Sequence, residues 1–358
     1  MKTLALTTAA TTAILGCAAV ASADANFYLY GQVDLTPATS GADAIGNNPI
    51  AVAWDGANAY VAGFNASGSD ADTGIVRITD VLGTASFSSR FGTRTTPNNR
   101  GYSGLDITTG GASLGAVYDD GTTTNSLAVY NPDGSQRWAT NLGGRPPAGP
   151  AFDPTTSRVS ALYFGTNIIR NYNATDGSAT GNADTGFGAL GGTAYRDFVY
   201  ASDGDVFARN ENDVYYANRV NFNTYDGQAE IVDLADSTAL GANIAYVESA
   251  GVAIYNDRAS GLGGQAFADV VAGVMSNGTA ETLNFLSIDG GSTVAFADGN
   301  ALYDFSYDAA SDTLAITDFA NRQLYVFGTS AVAIPEPTSL ALMGGLAGLT
   351  LLRRRRNG

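Results

Sequence analysis

The chain has 358 residues, 45% hydrophobic and 15% charged, a composition that indicates folded domains with a buried core. It contains 34 acidic and 18 basic residues and no histidine, and its one lysine is Lys2. Without histidine, Ser-His-Asp, Cys-His and ordinary zinc-hydrolase chemistry are excluded. The formal charge of −16 repels phosphate backbones, so we expect no nucleic-acid partner.

The first 23 residues have the pattern of a secretory signal peptide. Lys2 supplies an early positive charge, an apolar run covers residues 4 to about 20, and Ala21 and Ala23 form a small-x-small cleavage site. This order predicts export through the inner membrane and cleavage after Ala23. The alternatives are an uncleaved anchor and a lipoprotein box ending at Cys17. Cleavage after Ala23 leaves a mature chain without cysteine, so the core has to supply the stability that disulfides give other exported proteins.

The body, residues 24–330, has the composition of an all-β protein. The chain holds 44 Gly, 18 Tyr and 16 Phe together with many Asp, Asn, Thr and Ser, which favours short strands joined by tight turns. Lys2, Glu336 and four terminal arginines lie outside the body, which therefore keeps 33 acidic and 13 basic residues and a net charge of about −20. Such a surface suits a protein that remains soluble in a salty exterior.

Six segments of the body repeat a short apolar strand, a turn rich in Asp, Gly, Asn or Ser, and a second apolar strand. They begin at Ala51, Gly104, Ala151, Phe198, Ile244 and Phe305. The equivalent turn positions are Asp55, Asp106, Asp153, Asp203, Glu248 and Asp308. Their spacing of 45 to 60 residues leaves room for four strands in each unit. We therefore predict an all-β propeller of about six four-stranded blades, with seven blades as the alternative count and a β-sandwich or stacked β-domain as the alternative fold.

A strand-like run, FYLYGQVDL from Phe27, precedes the first copy, and the last copy ends near Ser330. We expect this N-terminal strand to complete the final blade, because that arrangement closes the ring and covers two open strand edges.

The last copy, YDAASDTLAITDFANRQLYVFG from Tyr307, resembles a blade of the NHL and SMP-30/gluconolactonase-like propellers. An Asp-bearing turn at Asp308, an apolar strand, the stretch containing Asp318, Asn321 and Arg322, and a further apolar strand follow in the family's order. The resemblance implies a propeller fold for the body.

A lactonase of the SMP-30 type would hold a divalent metal in its central channel with an early Glu and later Asn and Asp ligands. The first Glu of this chain is Glu211, so the early ligand has no match. We predict no catalytic, cofactor-binding or metal-binding residues in the body. A lactonase or other glycan-active propeller enzyme is the alternative, because carboxylates, hydroxyls, Tyr and Arg remain available for catalysis.

Two stretches offer the oxygen ligands that calcium prefers. The first contains Asp70 and Asp72, and the second contains Asp203, Asp205 and Asp213. Neither stretch has the complete spacing of an EF-hand loop, and Asp in a turn ordinarily caps its own backbone. Calcium therefore stays a weak alternative to the prediction that no cofactor is bound.

Aromatic side chains suggest a carbohydrate-binding module as a further alternative, because rings stack on the faces of sugars. The candidates are Trp54, Trp138, Tyr215 and Tyr216. Strand aromatics usually belong to the core, and adjacent residues of one strand, such as Tyr215 and Tyr216, point to opposite faces of a sheet.

The C-terminal segment, residues 331–358, has three parts in order. The triplet Pro335, Glu336 and Pro337 is followed by an uncharged stretch over residues 338–352 and then by a basic cluster of Arg353, Arg354, Arg355 and Arg356. As a helix the stretch would be about 22 Å long, a marginal membrane span that arginine side chains can extend by snorkelling. Its arginines would remain cytoplasmic by the positive-inside rule, and the prolines would keep the junction extended.

This three-part order resembles the PEP-CTERM sorting signal of Gram-negative bacteria. The resemblance implies that an exosortase-type membrane transpeptidase cuts at the motif and passes the protein to the cell surface or extracellular matrix. We therefore predict an exported protein that the C-terminal helix anchors transiently. Its non-catalytic propeller would act in matrix structure, adhesion or binding, and extracellular polysaccharide is one candidate partner among ligands that the sequence leaves open.

Overall fold

A computed structural model describes residues 24–41, 43–64, 71–96, 100–119, 125–143, 148–192, 194–210, 212–234, 243–256, 271–295 and 303–331. Within these ranges the protein consists of strands and turns, apart from two short 3-10 helices at Thr36–Thr39 and Phe187–Leu190. The all-β fold class is therefore confirmed, and the strands are arranged as in a β-propeller.

The strands form antiparallel units that follow one another along the chain, here called meanders 1 to 6. A first strand, β1 (Ala25–Asp34), precedes them. Meander 1 contains β2 (Asn48–Trp54), β3 (Ala59–Phe64), β4 (Ala71–Thr79), β5 (Ser86–Phe87) and β6 (Phe91–Thr96). Meander 2 contains β7 (Gly101–Ile107), β8 (Leu114–Asp119), β9 (Ser126–Tyr130) and β10 (Gln136–Asn141).

The remaining units have the same antiparallel order. Meander 3 contains β11 (Ala148–Asp153), β12 (Arg158–Leu162), β13 (Ile168–Asn173) and β14 (Ala179–Asp184). Meander 4 contains β15 (Asp197–Tyr200), β16 (Val206–Arg209), β17 (Asp213–Asn221) and β18 (Thr224–Asp233). Meander 5 contains β19 (Ile244–Val247), β20 (Val252–Asn256), β21 (Val271–Val274) and β22 (Ala280–Glu281), and β23 (Leu283–Leu286) follows it. Meander 6 contains β24 (Tyr303–Asp308), β25 (Thr313–Asp318) and β26 (Gln323–Gly328).

The hydrogen-bonded sheets in the described part of the chain number four, which differs from the predicted count of six separate blades. The difference arises because single-residue bridges merge neighbouring meanders. Phe64 pairs with Gly101, which joins meanders 1 and 2 into one nine-stranded sheet. Asp184 pairs with Thr224, which joins meanders 3 and 4 into one eight-stranded sheet.

The innermost strands of the meanders form a ring. Strand β2 contacts β7, β7 contacts β11, β11 contacts β15, β15 contacts β19 and β19 contacts β24, which returns to β2. Hydrophobic clusters fill the spaces between neighbouring meanders, so the core is divided among their interfaces. At one such interface a Cβ built on Gly104 would lie 2.1 Å from the carbonyl oxygen of Gly149, so the close approach of the two strands requires glycine.

The predicted closure by the N-terminal strand is present. Strand β1 pairs antiparallel with β26, with Tyr28 opposite Gly328 and Asp34 opposite Gln323. The phenol of Tyr30 also donates a hydrogen bond to the carbonyl of Ser330 at 2.6 Å. The first and last described strands therefore share one sheet, and β1 covers what would otherwise be an open edge of β26.

The predicted repeat units coincide with the hairpins between the first two strands of each meander. Asp55, Asp153, Asp203, Glu248 and Asp308 lie at or beside these turns. Asp106 was predicted to occupy the equivalent turn of meander 2, but it lies inside β7. The turn between β7 and β8 is formed by Thr108–Ser113. The misalignment arose because that turn contains Thr, Gly, Ala and Ser but no acidic residue.

Candidate functional site

A cavity of about 340 Å³ lies at the centre of the ring and is the candidate functional site. All six innermost strands contribute to its wall, β2 through Trp54 alone. The other innermost strands contribute residues 103–109, 150–154, 197–200, 244–246 and 304–309. Thr156, Ser202 and Glu248 add to the wall from turns, so each contribution extends into the turn after its innermost strand. The cavity thus occupies the end of the channel at which the innermost strands finish, here called the channel mouth.

Three aspartates from alternate innermost strands line this cavity. Asp106 lies on β7, Asp197 on β15 and Asp304 on β24. Asp304 is only 7% exposed, and the other two are partly buried. Asp106 and Asp304 lie within strands between apolar or aromatic neighbours, whereas Asp197 is the first residue of β15 and follows Arg196.

Each of these carboxylates accepts a hydrogen bond from the backbone of the next meander. Oδ2 of Asp106 accepts from the N–H of Phe152 at 2.6 Å. Oδ2 of Asp197 accepts from the N–H of Ile244 at 3.0 Å, and Oδ2 of Asp304 accepts from the N–H of Val52 at 2.6 Å. These donors lie on the inner edges of β11, β19 and β2, where no further strand can pair with them.

Burial raises the pKa of the Asp106 carboxyl to about 7 and has the same effect on Asp197. Hydrogen bonds from backbone N–H groups lower both pKa values but offset only part of the burial. The pKa of Asp304 rises well above its ordinary range through burial first and then through the charges of Asp197 and Asp106. The three carboxyls therefore interact electrostatically across the channel.

The channel mouth combines acidic, hydroxyl and aromatic groups. Ser202 donates to Glu248 from both its backbone N–H, at 3.1 Å, and its hydroxyl. The half-buried ring of Tyr246 stacks on Phe207 with 4.8 Å between centroids. The phenol of Tyr307 donates to Asp312 at 2.7 Å. None of the described residues that line the cavity is basic, so the mouth offers hydrogen-bond acceptors and rings to a ligand.

A different group of carboxylates lies close enough together to hold an ion. Asp213, Glu230 and Asp233, on β17 and β18, have carboxylate oxygens within 4.8 Å of one another. They do not line the central cavity. Asp213 already accepts hydrogen bonds from Asn210 and Tyr215.

The loops considered for calcium have protein partners for several of their carboxylates. Asp205 accepts from the N–H of Arg219 at 2.7 Å, and Asp203 accepts from the N–H of Asp205 at 3.0 Å. Asp72 is paired with Arg90 at 3.4 Å, whereas Asp70 lies outside the described residues. The described members of both stretches therefore have protein partners, which are backbone N–H groups for Asp203 and Asp205 and side chains for Asp72 and Asp213.

Two of the four aromatic candidates for sugar stacking are buried in the core. Trp54 is 1% exposed and donates from Nε1 to the hydroxyl of Thr313 at 2.7 Å, and Tyr215 is also 1% exposed. Tyr216 is half-buried and faces a different cluster from Tyr215, as strand alternation predicted. Trp138 is half-buried and donates to the carbonyl of Ala174 at 2.9 Å. Trp54 and Tyr215 therefore cannot form an exposed stacking platform.

The predicted targeting residues lie outside the described part of the chain. They are Ala21, Ala23, Pro335, Glu336, Pro337, Arg353, Arg354, Arg355 and Arg356. Among the residues that the structure does describe, no helix is long and apolar enough to cross a membrane.

Comparison with known proteins gives a likeness of fold. No protein-family model matches the chain, and no curated protein matches it. A chain in the crystal structure of the mitotic checkpoint complex is similar with a TM-score of 0.50 and 9% identity, covering 92% of this chain and 98% of that one. The C-terminal WD40 domain of Sif2 gives a TM-score of 0.45 and 10% identity, covering 86% of this chain and 98% of that one.

Proposed function

We propose that the chain is an exported bacterial surface protein whose non-catalytic propeller binds an extracellular ligand at the channel mouth. The signal-peptide pattern that ends at Ala23 and the Pro335 to Arg356 segment support export, processing by an exosortase-type transpeptidase, and release to the cell surface or matrix. The body has neither lysine nor histidine, so it lacks the commonest general base and an amine nucleophile. This composition favours binding over catalysis.

We further infer that each meander is one blade, which gives six blades. Two observations support this count. The innermost strands follow one another around a closed ring, and a separate hydrophobic cluster fills each space between neighbouring meanders. On this interpretation the bridges at Phe64 and Asp184 join neighbouring blades without altering their number.

One observation carries the non-catalytic assignment. Asp106, Asp197 and Asp304 converge on the cavity, where a carboxylate-dependent enzyme would need free acids or metal ligands. Each of them instead accepts a hydrogen bond from a backbone N–H group of the neighbouring meander. The fold needs this bond, because the N–H group would otherwise be buried without an acceptor. Their position is thus explained by the closure of the ring.

The chemistry of the mouth favours a neutral saccharide as the ligand. Carboxylate and hydroxyl groups accept or donate hydrogen bonds to sugar hydroxyls, and the rings of Phe152, Tyr246 and Tyr307 offer apolar surface. Because the body carries a net charge of about −20, it repels acidic polysaccharides.

Binding of the full chain to neutral and acidic surface polysaccharides tests this proposal. We expect binding to a neutral polysaccharide that Ser202→Ala and Glu248→Gln weaken about tenfold, the effect of losing one or two hydrogen bonds. Asp133→Asn, in the hairpin between β9 and β10, is the control and should leave binding unchanged. Equal loss in the control, or binding to acidic polymers alone, contradicts the assignment.

The lactonase alternative has its own support, since three carboxyls do converge in the channel. Hydrolysis of a lactone panel that a chelator abolishes would favour the enzyme over the binding protein. Export is tested separately by fractionation of native cells. The proposal predicts a chain shortened at both ends outside the cytoplasm, and Glu336→Ala should retain the C-terminal segment.

A further inference from the structure

The interfaces between meanders alternate between two kinds of linkage. Three of them are crossed by strand pairing. Phe64 pairs with Gly101 between meanders 1 and 2, and Asp184 pairs with Thr224 between meanders 3 and 4. Strand β23, which follows meander 5, pairs in parallel with β1 in the sheet of meander 6.

The other three interfaces are the ones that the channel aspartates cross. Asp106 bonds from meander 2 to meander 3, Asp197 bonds from meander 4 to meander 5, and Asp304 bonds from meander 6 to meander 1. Among the described residues no strand pairing crosses these three interfaces. The ring is therefore built from three two-meander modules, each joined by strand pairing. Side-chain hydrogen bonds connect each module to the next, and a channel aspartate takes part at all three of these interfaces.

The environment of these aspartates makes them respond to protons together. They face one channel, and the charges of Asp106 and Asp197 both act on Asp304. The other ionisable groups of the cavity wall are Asp153, Glu248, Asp308, Tyr200, Tyr246 and Tyr307. Of these, Asp153 is paired with Arg219 at 2.9 Å, and Glu248 is engaged by Ser202.

We propose that Asp106, Asp197 and Asp304 form a proton-dependent coupling that tightens the three module interfaces when the carboxyls are protonated and loosens them when the carboxyls ionise. A protonated carboxyl keeps acceptor lone pairs for a backbone N–H and carries no charge. Ionisation places up to three like charges around one channel that has no basic lining residue among those described, and their repulsion acts across all three interfaces at once.

The direction of the effect follows from linkage. A carboxyl with a higher pKa in the folded than in the unfolded protein binds its proton more tightly when folded. Its contribution to stability is therefore complete below the ordinary value of 3.8 and is lost as the pH rises through about 7, the folded value for Asp106 and Asp197. Mildly acidic conditions close the ring, and mildly alkaline conditions loosen it.

Amide hydrogen exchange of the full chain between pH 5.5 and pH 8 tests the coupling. After correction for the intrinsic rate, we expect exchange at the N–H groups of Val52, Phe152 and Ile244 to rise at least about fivefold with pH. Amides at the interfaces crossed by strand pairing should change less than about twofold over the same range. Exchange that is independent of pH at all three receiving amides in the wild-type protein overturns the proposal without requiring any variant.

The variants Asp106→Asn, Asp197→Asn and Asp304→Asn remove the charge and keep one oxygen acceptor. Each should flatten the pH dependence at its own receiving amide. Asp308→Asn is the matched control, because Asp308 lines the same cavity but accepts from Ser311 within its own meander. A profile that persists in all three variants, or is lost equally in the control, also overturns the proposal.

Discussion

Nη1 of Arg219 lies 2.9 Å from Oδ1 of Asp153 and joins meander 4 to meander 3. The pair is enclosed, with 9% of the arginine side chain and 3% of the aspartate side chain exposed. Burial alone would raise the pKa of Asp153, but hydrogen bonds from Arg219 and Thr155 outweigh it and lower that pKa. Each charge thus stabilises the other in a place where neither would be tolerated alone.

Replacing Asp153 with Asn should destabilise the protein strongly. The variant leaves the guanidinium of Arg219 enclosed without its counter-charge, a loss of about 3–5 kcal/mol for a buried pair. Asp72→Asn removes the partner of Arg90 from a pair whose carboxylate is 47% exposed, and it should cost less than about 1 kcal/mol. Urea unfolding at pH 7 measures both. If both variants lost a similar free energy of unfolding, the Asp153–Arg219 pair would be screened by solvent as much as the exposed Asp72–Arg90 pair.

Trp54 and Thr313 hold meander 1 against meander 6 and should behave as a coupled pair. Thr313→Val leaves the buried indole N–H without its acceptor, which costs about 1–3 kcal/mol. Trp54→Phe removes the N–H and part of the ring, with a similar cost.

The double variant should lose less than the sum of the two single losses, because it leaves no unpaired indole N–H. A coupling energy of about 1 kcal/mol in the double-mutant cycle is the expected result. Additive losses would show that the 2.7 Å bond adds nothing to stability.

The regular parts of this fold were predictable because each meander begins with an apolar strand, a polar turn and a second apolar strand. Five of the six assigned turn positions, such as Asp153 and Asp308, lie at or beside the expected hairpins. The closing strand at Phe27 was also predictable, since an extra strand before the first repeat has to cover an edge. Local pattern and turn chemistry are enough for such features.

The channel aspartates were not predictable as a group. Asp106 was assigned to a turn, and Asp197 and Asp304 were not singled out, because an isolated acid in a strand has no local sign of its partner. Asp106 and Asp197 accept from backbone N–H groups that lie 46 and 47 residues further along the chain. Asp304 accepts from Val52, 252 residues earlier in the chain. The partner of the Trp54 indole was hidden from the sequence for the same reason, since only the ring places Thr313 beside it.

The closure of the ring predicts that Phe27 behaves as a central core residue even though it lies close to the N-terminal end of the described chain. Its side chain is fully buried and stacks on Phe285 with 5.1 Å between centroids. Phe27→Ala should cost about 3–5 kcal/mol in chemical unfolding, the usual effect of removing a buried ring. Leu190→Ala, at a side chain that is 38% exposed, should change stability by less than about 0.5 kcal/mol. A small effect at Phe27 would show that β1 detaches before the ring unfolds.

Asp312 should make the stability fall in acid. It accepts hydrogen bonds from Ser249 at 2.5 Å and from Tyr307 at 2.7 Å, and Thr329 donates to its second oxygen. Burial raises the pKa of Asp312, but these three bonds outweigh burial and lower it. The folded protein therefore holds the proton less tightly than the unfolded chain, so this stability is present above pH 3.8 and is lost as the pH falls through the folded pKa.

Asp312→Asn removes that dependence without disturbing the backbone, because the φ of 53° at this position is one that Asn also adopts readily. At pH 6 the variant should be less stable than the wild-type protein by on the order of 1 kcal/mol, and the difference should shrink as the pH falls below 3.8. Thr329→Val removes one of the three donors to Asp312. At pH 6 it should therefore reduce the free energy of unfolding by less than Asp312→Asn does. Curves for the wild-type protein and Asp312→Asn that stay parallel from pH 6 to pH 3 would show that the hydrogen bonds to Asp312 do not favour its ionised form.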